Sequence, residues 1–164
     1  MPSRQIGQTA ARSADGHAGS ATRLSLGVLS DVLGYHVAQA AVTTVDLYDR
    51  HIGQPFGLRK VEFSLLLLLQ ANGPLTPKRL GHALALSGPN LTLLLDRLQQ
   101  RALLRRERST TDGRSQNIVL TDAGRQITQA AGEAAAPMER ELDDRLSRAE
   151  RLMLIELLRK VAGR

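Results

Sequence analysis

The stretch from Leu75 to Leu120 changes its hydrophobic period partway along, and this change constrains the fold more than any other feature of the chain. Up to about Arg101 the apolar residues recur near the 3.6 period of a helix, and beyond it they alternate as in a strand. Thr76 is placed to cap a helix, Pro77 takes its first position, and Leu80, Ala83 and Leu84 form its inner face. Leu86-Ser87-Gly88 predicts a turn. A second helix then starts near Pro89 and runs to about Arg101, burying Leu91, Leu94, Leu95 and Leu98. Leu103 to Arg108 and Gln116 to Leu120 predict two strands, joined by a polar segment with the turn signal Asp112-Gly113. Two short helices joined by a tight glycine turn and followed at once by a hairpin make a helix-turn-helix with a wing.

The flanks are helical. Arg23 to Arg50 predicts one long helix with apolar residues at Val28, Leu29, Val32, Leu33, Val37, Ala40, Ala41, Val45, Leu47 and Tyr48. At ~1.5 Å per residue it extends roughly 40 Å, too far for a chain of this size to cover alone, and a second chain is the natural cover. His51 to Gly57 is punctuated by glycine and proline and predicts a break. A short apolar helix follows over about Arg59 to Ala71, stopped by Asn72-Gly73-Pro74. Thr121 caps a further helix to about Leu142, which Pro137 is expected to kink or interrupt. Ser147 and Glu150 have the spacing of a capping box and open a last helix ending near Ala162. Its residues Leu152, Leu154, Ile155, Leu157, Leu158 and Val161 wrap around much of the helix, which predicts burial, partly against a second subunit. Residues 1–22 are small, polar and rich in Gly, Ala and Ser, and are expected to form a mobile arm before a single domain over 23–164. The fold class is mainly α with a small β-hairpin wing.

Composition narrows the function. The chain has no cysteine, which removes disulfides, thiolate zinc sites and thiol-based sensing, and fits a reducing compartment. The most apolar run, Val61 to Leu69, is far short of the ~20 residues that span a bilayer, and the N-terminus lacks an apolar signal core. A cytoplasmic protein with no membrane partner is expected. No Cys/His pair, phosphate loop or metal-ligand spacing is visible, and the histidines His17, His36, His51 and His82 are scattered, so no enzyme, cofactor or metal site is expected. The net charge of +6 is segregated. Between Asn72 and Arg125 nine basic residues face four acidic ones, and between Glu133 and Glu156 seven acidic residues face four basic ones. A basic middle suits a polyanion such as nucleic acid, or is simply a solvated basic face. Only four aromatic residues, Tyr35, Tyr48, Phe56 and Phe63, argue against the stacking platforms of single-stranded RNA binders.

The segment LTPKRLGHALALSGPNLTLLLDRLQQRALLRRERSTTDGRSQNIVLTDAGR resembles the winged helix-turn-helix of the MarR family. Its most specific pieces are Asp112-x-Arg114 at the wing tip and Leu120-Thr121-x-x-Gly124 after it. With its flanking helices the resemblance runs from about Leu24 to Ala162. It implies a winged helix-turn-helix over about 58–121 between dimerisation helices over about 23–50 and 122–162. It further implies a homodimer that binds a pseudo-palindromic double-stranded DNA operator, represses transcription, and is released by a small aromatic or phenolic ligand. Two positions depart from the family pattern: Gly113, where arginine is frequent, and Leu93, where a polar or basic residue is frequent.

In such a motif the second helix offers its first turns to base edges in the major groove. Asn90 can pair bidentately with adenine, or cap its helix, and Thr92 can reach a base edge or a thymine methyl. Ser87 either caps the same helix or bonds a phosphate. Arg97 and Arg101 lie beyond base reach and are expected on phosphates or in ion pairs, Arg97 with a carboxylate of its own domain. Thr76, Lys78 and Arg79 stand where helix N–H groups and positive charge favour a phosphate. Alternation puts Arg106 and Arg108 on one face of the wing strand and Arg105 on the other. Arg114 is expected in a minor groove, with Asp112 orienting it or another arginine. An effector pocket is expected to draw on Tyr35, His36, Gln39 and Phe63. The rival to a DNA-binding regulator is a winged-helix protein-interaction module without operator binding.

Overall fold

The computed structural model describes residues 24–108 and 116–163. A 3₁₀ turn, Gly27–Asp31, precedes α1 (Leu33–Tyr48), which passes through a π turn (Asp49–Gly53) into the single turn α2 (Gln54–Phe56). Then come α3 (Lys60–Asn72), α4 (Pro77–Leu84), α5 (Gly88–Gln100), β1 (Leu104–Arg108), β2 (Gln116–Leu120), α6 (Asp122–Arg140) and α7 (Arg148–Val161).

The centre of the chain folds as its pattern predicts. Thr76 Oγ1 accepts the N–H of Arg79 at 3.4 Å, Pro77 opens α4, and Leu80 is fully buried. The strands pair antiparallel from Leu104 opposite Leu120 to Arg108 opposite Gln116. Leu75 adds a bridge that local pattern does not announce: it exchanges both backbone hydrogen bonds with Ile118, at 3.2 and 2.8 Å, and ties the start of α4 to the hairpin. Leu65, Leu66 and Leu69 of α3, Leu80 of α4, Leu91, Leu95 and Leu98 of α5, and Leu104 and Ile118 of the hairpin close one core. That core fixes the second helix of the motif against the rest of the winged unit.

The flanks depart from expectation in three places. The long first helix does not begin at Arg23: Val32 is extended (φ −90°, ψ 100°) and α1 starts at Leu33. Gly27 adopts a positive φ of 51°, and Ser30 Oγ donates to the Gly27 carbonyl at 2.8 Å, a local bond that competes with helix formation. At the other end, the break expected at His51 is delayed until Gly57, whose left-handed backbone (φ 59°, ψ 35°) ends the run. Pro55 is tolerated because the turn before it widens from α to π, relieving the clash between a proline ring and the carbonyl four residues back. Pro137 likewise leaves α6 unbroken to Arg140.

Tyr48 joins α1 to the winged unit. Its buried hydroxyl donates to the Leu58 carbonyl at 2.8 Å, and its ring centroid lies 5.8 Å from that of Phe63. Burial, with smaller contributions from the nearby carboxylates of Glu62 and Asp49, pushes the phenol up to about 12. Below pH 10 the phenol is protonated in both folded and unfolded chains, so this effect is silent. As pH rises from 10 towards 12 the unfolded chain loses the proton first, and folded stability falls by about 2 to 3 kcal/mol. The stability advantage of the wild type over Tyr48→Phe is therefore expected to shrink by that amount across this window in denaturant titrations. A constant difference between the two proteins would refute the assignment.

The capping box of α7 forms as its spacing predicts, with Ser147 Oγ accepting from Glu150 N–H and Glu150 Oε2 accepting from Ser147 N–H at 2.8 Å. The expected burial of the helix is absent in the single chain. No residue of α7 is buried, and Leu152, Met153, Leu154, Ile155, Leu157, Leu158 and Val161 are all exposed. Leu24, Leu26, Val28, Leu29, Val32, Leu33, Val37 and Val42 are exposed at the other terminus. No described helix is long and apolar enough to cross a membrane.

Candidate nucleic-acid interface

The first turns of α5 are exposed, with residues 87–90 and 92–93 all open to solvent. Ser87 occupies the N-cap position but its hydroxyl makes no capping bond, so the cap reading of this residue does not hold. Asn90 lies three residues further on, inside the helix, exposed and not acting as its cap. Thr92 is exposed and its Oγ1 donates back to the Gly88 carbonyl at 3.0 Å. Leu93 is 69% exposed beside them. Leu91, Leu94, Leu95 and Leu98 hold the opposite face in the core, so the orientation of the polar face is set by packing.

Much of the basic charge near this face is spent inside the domain. Glu62 of α3 is fully buried and gathers three donors: the Arg59 N–H at 2.8 Å, Arg97 Nε at 3.0 Å and Arg101 Nη1 at 3.5 Å. The Arg97 contact to Oε1 is an ion pair without hydrogen-bond alignment. Arg101 also donates to the Gly57 carbonyl at 3.0 Å, so one carboxylate ties the corner after α2, the start of α3 and the second half of α5 together. Arg97, expected either on a phosphate or in such a pair, is in the pair. Arg106 does share a strand face with Arg108, as alternation requires, but it is the inward face. Its guanidinium bonds Asp96 Oδ1 at 2.5 Å and Gln99 Oε1 at 2.8 Å, fastening the wing strand to α5 rather than presenting a cation to a ligand. Arg105 pairs with Glu107, and Arg125 with Asp122.

Lys78, Arg79 and Arg108 remain, exposed and without an ion pair among the described residues. Lys78 and Arg79 stand in the first turn of α4, where backbone N–H groups also point outward, and Thr76 spends its acceptor on the cap. Arg108 ends β1. The wing-tip residues Asp112 and Arg114 lie outside the described residues. Sequence reasoning missed Glu62 and Asp96 as the anchors of Arg97, Arg101 and Arg106. A lone glutamate inside the run Val61 to Leu69 was the available signal, since a charge at a core position of a helix requires partners.

The residues proposed for an effector pocket are not gathered in the single chain. Tyr35 and His36 meet edge to face with centroids 5.4 Å apart on α1, and His36 Nε2 lies 2.8 Å from the Ser30 carbonyl oxygen. Gln39 is exposed one turn on. Phe63 packs instead beside Tyr48, against the core. The clefts along α4 and α5 and beneath the hairpin are lined by other residues, among them Lys78, His82 and Arg106 in one and Arg105, Glu107 and Arg125 in the other.

Comparison with known proteins bears on this arrangement. The profile described as MarR family matches residues 56–115. The HTH-type transcriptional regulator PecS of Dickeya dadantii (strain 3937) is 34% identical over 121 residues, which are 70% of this chain and 73% of PecS. The transcriptional repressor CouR, solved bound to a 23-mer DNA duplex, superposes with a TM-score of 0.78 at 33% identity, covering 86% of this chain and 99% of CouR. CouR bound to p-coumaroyl-CoA superposes with a TM-score of 0.75 at 31% identity, covering 85% of this chain and 98% of that one.

Proposed function

The chain belongs to the MarR family of winged helix-turn-helix regulators, and on that premise we propose that it is a homodimeric repressor that binds a pseudo-palindromic operator and leaves it when a small ligand binds. The observation that carries the reading is the first two turns of α5. There Ser87 and Asn90 are exposed and do not cap their helix, on a face held in place by four buried leucines. In this reading Asn90 and Thr92 contact base edges in the major groove, and Ser87, Lys78 and Arg79 bond phosphates on either side. Arg108, with Arg114 of the wing, follows the backbone into the adjacent minor groove. Arg97 and Arg106 act through the fold, by holding α5 and β1 in position.

The second subunit covers the exposed apolar residues of 24–42 and of α7, which a monomer would leave in water. Twofold symmetry then sets two copies of α5 about one helical turn of DNA apart, roughly 34 Å. The small-ligand part of the proposal draws on the p-coumaroyl-CoA complex of the similar CouR, and assigns Tyr35, His36 and Gln39 to the effector. A double substitution of Leu154→Glu and Leu158→Glu tests the dimer. Sedimentation equilibrium is expected to give a monomer, and affinity for an operator selected from random duplexes is expected to fall at least about tenfold, because the half-sites are no longer bound as one unit. A variant that stays dimeric would show that α7 is not the interface, and a monomer with unchanged affinity would refute the two-half-site reading.

A further inference from the structure

We propose that Leu93 is a specificity-determining residue that reads the 5-methyl group of a thymine in the major groove; the proposal rests on the DNA-binding reading of α5. Between residues 43 and 151, Leu93 is the one large aliphatic residue left exposed among those described. The other large exposed apolar residues lie in 24–42 and 152–161, where a second subunit has a use for them. Leu93 thus stands apart from both terminal apolar patches.

Its position bears on what it meets. Three residues before it on the same helix face is Asn90, and four after it is Arg97, the residue tied to Glu62. Leu93 lines a shallow cleft with Asn90, Leu94 and Arg97 of its own helix and Val61 of α3, so its side chain stands beside Asn90 at the exposed start of α5. An isobutyl group neither donates nor accepts, and cannot read a base by hydrogen bonding. Among the four bases only thymine offers an apolar group in the major groove, its C5 methyl, while cytosine offers an amino group that an apolar neighbour would strip of water. Asn90 and Leu93 are separated by about 4.5 Å along the helix axis, between one and two base-pair steps, so an adenine and a thymine are expected close together in each half-site.

The test uses the full-length protein and a duplex enriched by it from a randomised pool. Each thymine is replaced singly by deoxyuridine, which removes the methyl and nothing else, and binding is measured for the wild type and for Leu93→Ala. For the wild type, one thymine per half-site is expected to lose about fourfold in affinity on replacement, the worth of one buried methyl. Leu93→Ala is expected to bind the thymine and deoxyuridine duplexes equally at that position. Because Leu93 is exposed, the alanine variant keeps its fold, and equal melting temperatures verify this. A wild type indifferent to every replacement, or a Leu93→Ala variant that keeps the same loss, would overturn the proposal while leaving operator binding intact. A pool that yields no enriched duplex would instead remove the DNA-binding reading, and this one with it.

Discussion

Gly124→Ala is expected to lower the melting temperature by roughly 6 to 12 °C, corresponding to about 3 kcal/mol for a chain of this length. Gly124 is the third residue of α6, where the helix start is pressed onto the end of the wing unit. Thr121 Oγ1 donates to the Ala102 carbonyl at 2.6 Å and accepts the Gly124 N–H at 2.9 Å. The Thr121 N–H donates to the Leu103 carbonyl at 3.2 Å. These bonds draw the first turn of α6 so close that a Cβ on Gly124 falls 1.8 Å from the Leu103 carbonyl oxygen. Backbone cannot yield as a flexible side chain does, so α6 must lift and its cap must open. Gly132, two turns along the same helix, makes the control. A Cβ there meets only Leu67 Cδ2, at an ordinary 3.5 Å. Gly132→Ala is expected to stabilise by about 0.5 to 1 kcal/mol, the ordinary gain of alanine over glycine within a helix. Thermal unfolding of both variants, at one fixed protein concentration because the proposed dimer links stability to concentration, separates the two effects. Equal melting temperatures for Gly124→Ala and wild type would contradict the packing of α6 described above.

Glu62→Ala is expected to cost about 3 kcal/mol by denaturant titration. Its carboxylate is fully buried, accepts from the N-cap of α3 and from Arg101, and forms an ion pair with Arg97. Truncation leaves the Arg59 N–H without its acceptor and the two guanidiniums without their counter-charge. The cost stays near the lower end for a broken buried pair because the side chains of Arg97 and Arg101 are 43% and 31% exposed and water can reach them. Glu62→Gln keeps an acceptor for the Arg59 N–H and is expected to lose about half as much. Arg97→Ala, which leaves Arg101 on the carboxylate, is expected to cost about 1 kcal/mol. Equal losses for the alanine and glutamine variants would show that charge, rather than hydrogen bonding, accounts for the whole effect. No loss in either would remove Glu62 as the anchor of α5.

Much of this fold was legible because its signals are local. Thr76-Pro77, Asn72-Gly73 and the Ser147/Glu150 box each act within one helical turn, and all three behave as their spacing predicts. The change of period after Arg101 was equally direct, since a hairpin and a helix bury different residue sets. What escaped was decided at a distance or by competition. The break at Val32, extended after a 3₁₀ turn that holds the Ser30–Gly27 bond, interrupts an apolar pattern that runs through it. Pro55 and Pro137 fail to stop their helices, in the first case because a π turn makes room. At the candidate site, Asn90 and Thr92 lie on the exposed face of α5, which helix geometry alone fixes. The fates of Arg97 and Arg106 depended on Glu62 and Asp96, carboxylates 35 and 10 residues away in the chain, and no local pattern pairs them. The burial expected for α7 was reasoned partly from a second subunit, and the single chain leaves that helix in solvent.

The central claim is that the exposed start of α5 binds a specific duplex. Fluorescence anisotropy of the full-length protein on a duplex enriched from a random pool, against a scrambled duplex of equal length over a salt series, tests it most directly. The account predicts binding to the enriched duplex that is at least about a thousandfold tighter than to the scrambled one, that weakens steeply as salt rises, and that Asn90→Ala reduces by about 1 to 3 kcal/mol per half-site. Equal affinity for the two duplexes, or selective binding untouched by Asn90→Ala, would contradict it.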